Sequence, residues 1–97
     1  MNAVLQGVVQ IRGTATITGF HRYKLEYCLE GTCPQQGQWP LLSKEEFFAP
    51  VFDGVLMEWD TRTVPPGIYR LRLVVVKQDG NYYTPEPEVR VIVAAQR

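Results

Sequence analysis

The stretch Trp59-Asp60-Thr61-Arg62-Thr63-Val64-Pro65-Pro66-Gly67-Ile68-Tyr69-Arg70-Leu71-Arg72-Leu73-Val74-Val75-Val76 decides how the rest of the chain is read. From Ile68 onward it holds no strand breaker. Tyr69, Leu71, Leu73 and Val75 fall on one face by the two-residue period of an extended chain, with Arg70 and Arg72 on the other. Past Leu73 the alternation gives way to Val74-Val75-Val76, which suits a central strand covered on both sides at that end. Upstream, Val64-Pro65-Pro66-Gly67 has to turn, because two prolines fix φ and remove two donors while Gly67 admits a positive φ. Trp59 ends the strand that enters this bend. The reading is strand, tight corner, strand.

Working outward, residues 4–7 suit a short edge strand with a kink at Gly7, and residues 8–17 a long one. In the long strand Val9, Ile11, Gly13, Ala15 and Ile17 alternate with polar residues, and the small Gly13 and Ala15 leave room above them for Trp59. Residues 22–28 alternate most cleanly, with Tyr23, Leu25 and Tyr27 toward a core and Arg22, Lys24 and Glu26 toward water. Gln38-Trp39-Pro40-Leu41-Leu42 reads as an edge strand because of its proline, and Ser43-Lys44-Glu45-Glu46 as a capping box for one helical turn through Phe47. Residues 48–54 read as irregular chain, and residues 55–59 as the strand into the corner. Asp79-Gly80 is a turn signal, and Pro85 and Pro87 delay the last strand to Glu88. The sum is an all-β domain over residues 1–97: seven strands in a two-sheet Greek-key sandwich.

Composition narrows function mainly by exclusion. Ten basic residues balance ten acidic ones with no clustering, so the basic field that nucleic acid requires is missing. No apolar run reaches membrane-spanning length, and no secretory signal pattern opens the segment. His21 has no nucleophile at a useful spacing, Glu58 points outward on its strand, and Asp60 suits the hydrogen bonds of a turn beside Thr61 and Thr63. An enzyme is not expected, and neither a cofactor nor a metal is implied. Cys28 and Cys33 admit three readings: a disulfide across the Gly31 turn, two free thiols, or half of a zinc site. The residues that could meet a partner are aromatics in loops and edges. These are Trp39, Phe47, Phe48, Tyr82 and Tyr83, with Phe52 in the same class. The loop from Asp79 to Glu86 is the first place to look.

Several strings of this sequence resemble known modules in order and spacing. They include Gly13-Thr14-Ala15, Tyr23-Lys24-Leu25-Glu26-Tyr27, Trp59-Asp60-Thr61, Pro66-Gly67, Tyr69-Arg70-Leu71-Arg72-Leu73 and Asp79-Gly80. Over roughly residues 8–94 the chain resembles fibronectin type III-like or immunoglobulin-like modules of large extracytoplasmic bacterial proteins, such as the tails of penicillin-binding proteins and secreted proteases. Tyr69, just after Pro66-Gly67, resembles the tyrosine corner of such folds, where the phenol bonds the backbone a few residues upstream. The resemblance implies a non-catalytic spacer or protein-interaction domain outside the cytoplasm, cut from a longer chain. Its partners would be neighbouring domains or another protein. The alternative is a module that binds carbohydrate or cell wall through loop aromatics. The cysteine pair and Lys44-Glu45-Glu46-Phe47-Phe48 depart from the pattern, which puts a shared ligand in doubt.

Overall fold

The computed structural model describes residues 3–33, 39–43, 46–82 and 86–95. Among them run six strands: β1 (Ala3–Leu5), β2 (Val8–Ala15), β3 (Phe20–Leu29), β4 (Val51–Asp60), β5 (Gly67–Lys77) and β6 (Glu88–Val93). One sheet has four strands in the order β1-β6-β5-β3, and the other pairs β2 with β4. A 3-10 turn at Thr61–Thr63 is the one helical element among the described residues. The chain is all-β, as its alternating patterns require.

The strand expected over Gln38 to Leu42 shrinks to a single bridge, Leu41 opposite Glu26, and Gln38 lies outside the described residues. Pro40 has no N–H to give a ladder and contributes only its carbonyl, which accepts from Tyr27 at 3.0 Å. Of the expected helical turn, Lys44 and Glu45 lie outside the described residues, while Phe47 is extended and trades two 2.8 Å backbone bonds with Tyr23. In the other direction, β4 starts at Val51 rather than Val55. Residues 48–54 read as irregular chain in sequence. In the structure Asp53 takes φ 48° inside the strand, and its N–H donates to the Thr14 hydroxyl at 3.0 Å.

That site is one of two irregularities in the β2–β4 ladder. Ile11 faces Met57 and Arg12 faces Val55, so Leu56 is extra; Gly13 faces Gly54 and Ala15 faces Val51, so Phe52 and Asp53 share one gap. The first bulge turns Leu56 inward and leaves Val55 exposed; the second turns Val51 toward the interior and Phe52 toward solvent. Leu56 thereby joins Ala15, Tyr23, Leu25 and Val75 in one half of the interior, and a Cβ on Gly13 would come within 3.2 Å of it. The expectation that Trp59 packs above Gly13 and Ala15 is corrected here. Trp59 faces Val9 in register and belongs to the other half, with Tyr69, Leu71, Val91 and Val93.

The corner ties the two sheets together. The Tyr69 ring is 3% exposed, meets Trp59 edge-on at 6.2 Å, and its hydroxyl donates to the Pro65 carbonyl at 2.7 Å. Gly67 has φ 155°, and a Cβ there would come within 3.1 Å of the Leu29 side chain. Thr61, fully buried, gives both its N–H and its hydroxyl to the Gly7 carbonyl, at 3.0 and 2.7 Å. The bend between β1 and β2 is therefore fixed to the bend between β4 and β5.

Replacing Tyr69 by Phe removes the donor and leaves the Pro65 carbonyl without it; denaturant titration should show a loss of about 1–3 kcal/mol. Burial first, then Tyr27, holds the Tyr69 phenol above its ordinary pKa of 10.0, and burial does the same for Tyr23, whose hydroxyl donates to the Leu56 carbonyl at 2.5 Å. The folded state holds these protons more tightly than the unfolded chain. Stability should therefore stay intact below the ordinary value of 10.0 and fall as pH rises through the raised values. Melts of the native protein from neutral pH to pH 11 or so, beside Tyr23→Phe and Tyr69→Phe, check this, with a flatter alkaline limb expected in the variants.

Candidate functional site

Register brings the exposed aromatic residues to one end. Tyr82 bridges to Val76, Val76 pairs with Arg22, and Phe47 bridges to Tyr23 one residue further on, while Ala15 faces Val51 at the same end of the smaller sheet. Phe47 is half-buried and stacks on Tyr23 at 4.9 Å, so it belongs to the interior. The next residue, Phe48, points the other way, is 63% exposed and meets His21 edge-on at 5.6 Å. Phe52, in the bulge, is 81% exposed. Tyr82 is 45% exposed, with the Lys24 ammonium 5.8 Å from its ring centre. Tyr83 lies outside the described residues. This end therefore exposes Phe48, set against His21, together with Phe52 and Tyr82, and carries the Arg22–Glu46 ion pair of 2.7 Å.

Trp39 is placed elsewhere and does another job. It is buried on the outer face of the larger sheet, with the Arg72 guanidinium 4.2 Å from its ring centre. Arg72 faces Glu26 across the β3–β5 ladder and donates to it through Nε at 2.9 Å and Nη2 at 2.5 Å; Lys24 approaches the same carboxylate at 3.7 Å. Glu26 is only 2% exposed. The face expected to meet water is thus closed at its centre by a charged cluster under an aromatic lid. Sequence pattern puts these residues on the correct face but shows neither the register that pairs them nor the loop that covers them.

The remaining polar residues are accounted for by structure. Asp60 caps the 3-10 turn, accepting from the Arg62 N–H at 3.0 Å and from its guanidinium at 2.8 and 3.0 Å, and these bonds lower its pKa. Asp79 accepts from the Asn81 N–H at 2.9 Å, which lowers its pKa and holds the turn. Glu58 is exposed on β4, and the ring of exposed His21 lies 2.9 Å from Arg22. No group of three His, Cys, Asp or Glu comes together as a metal site among the described residues. Cys28 and Cys33 are joined in a disulfide at the opposite end of the molecule, with Cα atoms 5.3 Å apart. Beside it, Tyr27, Pro40, Thr63 and Pro65 line a recess of about 540 Å³ whose wall includes the Tyr69 corner. No helix among the described residues is long and apolar enough to cross a membrane.

Comparison with protein-family models, with curated proteins and with solved structures finds no match to this chain.

Glu26→Ala removes the close carboxylate from Arg72 beneath Trp39, leaving Glu86 at 3.9 Å, and should cost about 3 kcal/mol in a denaturant titration. Asp60→Ala, at an exposed ion pair, should shift the midpoint far less. Reducing the disulfide should lower stability by about 2 kcal/mol, since it frees only a short loop; parallel titrations with and without reductant measure it.

Proposed function

We propose that this chain is a non-catalytic interaction module of the immunoglobulin-like, fibronectin type III-like kind, carried by a larger secreted or membrane-anchored bacterial protein. The chain crosses from one sheet to the other after β1, β2, β3 and β4, which supports a Greek-key sandwich. Pro40, Leu42 and Phe47 are each bonded to β3, which supports a seventh, bridge-like strand along that edge. The Tyr69 hydroxyl on the Pro65 carbonyl supports the same family of folds. The disulfide supports an oxidising compartment outside the cytoplasm.

One observation carries the interaction reading: Phe48, Phe52 and Tyr82 are exposed together at one end. Rings in water gain free energy when a partner covers them, and a rigid two-sheet body holds them ready at little entropic cost. The partner is a neighbouring domain or another polypeptide.

A photo-crosslinking phenylalanine analogue at position 52, and at position 58 as a control on the polar face, tests this in the full parent protein. Adducts with polypeptide at 52 and none at 58 are expected, with Phe48→Ser reducing them and leaving the unfolding midpoint nearly unchanged. Movement of the Tyr82 ring resonances with a panel of glycan and cell-wall fragments, without polypeptide adducts, would instead establish carbohydrate binding.

A further inference from the structure

We propose that the flank of the molecule between β2 and β6 receives an extended segment of a partner polypeptide, added as a strand alongside β2, with apolar residues at alternate positions and a carboxylate opposite Arg12. The site is distinct from the aromatic end.

The first is a mismatch between the layers. Four strands lie on one side and two on the other, and among the described residues β2 is paired along one edge only, by β4. The backbone groups along its other edge are free to pair with an incoming strand.

The second is an interior face left bare. Val89, Val91 and Val93 share one face of β6; Val91 and Val93 are buried, yet Val89 is 56% exposed. Between β2 and Val89 opens a groove of about 270 Å³. Leu56 and Leu71 lie at its base, with Ile11 and Gly13 on one side and Pro87 and Val89 on the other. A second recess shares Thr14, Leu73 and Pro87 with it and continues to Ile17. From position 11 to 17 an extended chain covers roughly 20 Å at about 3.3 Å per residue. The groove opens beside the unpaired edge of β2, so alternate side chains of an added strand would enter it.

Charge selects the occupant. Arg12 is exposed and joins no ion pair among the described residues, and its cross-strand partner on β4 is the apolar Val55. An acidic residue on the added strand would complete that row. Antiparallel pairing of β2 with the β2 of a second copy, centred on Arg12, would set Arg12 opposite Arg12, which like-charge repulsion opposes.

The test uses the intact chain and the labelled peptide Thr-Val-Glu-Val-Thr-Val-Thr, the same peptide with Lys for Glu, and a scramble without alternation. Fluorescence anisotropy should show binding of the first peptide in preference to both others, with backbone amide shifts along residues 11–17. Arg12→Glu should weaken it about fivefold and favour the Lys peptide. Val89→Lys should weaken both alternating peptides roughly tenfold by placing an ammonium in the groove. Both positions are exposed, so the variants should unfold at the native midpoint. Equal binding of the scramble, shifts confined to the aromatic end, or indifference to both substitutions would overturn the proposal. So would a dimer in sedimentation that Val89→Lys dissolves, since the flank would then belong to a second copy.

Discussion

The Tyr69 hydroxyl held on the Pro65 carbonyl is the constraint on which this fold turns. Between Asp60 and Gly67 the chain leaves the smaller sheet and enters the middle of the larger one, and it must do so without burying unpaired backbone groups. Two prolines remove two donors from the passage, the phenol supplies one, and Trp59 packs against the ring that carries it. Thr61 then fastens the same passage to Gly7, where β1 gives way to β2. One short segment thus sets the separation of the sheets at this end, and both halves of the interior are built outward from β5.

The outer face of the larger sheet shows what a charged strand residue can do when it is covered. Glu26 and Arg72 are opposite partners in a ladder, and Trp39 lies over the guanidinium. Within that setting the ion pair binds the loop before β4 to the sheet and favours this register over a slipped one, because a one-residue slip would turn Glu26 toward the apolar interior. Charge here serves architecture. The proposed recognition uses residues that the architecture leaves uncovered.

Those uncovered residues arise in two ways. At the aromatic end, the bulge at Phe52-Asp53 directs Phe52 outward, and ordinary alternation after the inward Phe47 directs Phe48 outward. Along the flank, the shortage of a strand beside β2 exposes Val89, although its alternation is that of a core residue. Neither surface interrupts the interior that holds the sheets together.

Much of this was legible in the chain. The alternation of Tyr69, Leu71, Leu73 and Val75, the double-proline bend and the clean pattern of residues 22–28 determine an all-β protein with a central strand after the bend, since each is a property of one segment and its own dihedral preferences. The nearness of Cys28 and Cys33 limits their pairing to a small loop but not whether it forms. Only the tertiary structure decided that Leu56 and not Trp59 covers Gly13, that Glu26 is buried, that Pro40 leaves a bridge in place of a strand, and that Val89 is bare. Each of these depends on register between distant strands and on the relative widths of the two sheets. Periodicity tells a residue which way to face; what it then faces is set by elements far away in the chain.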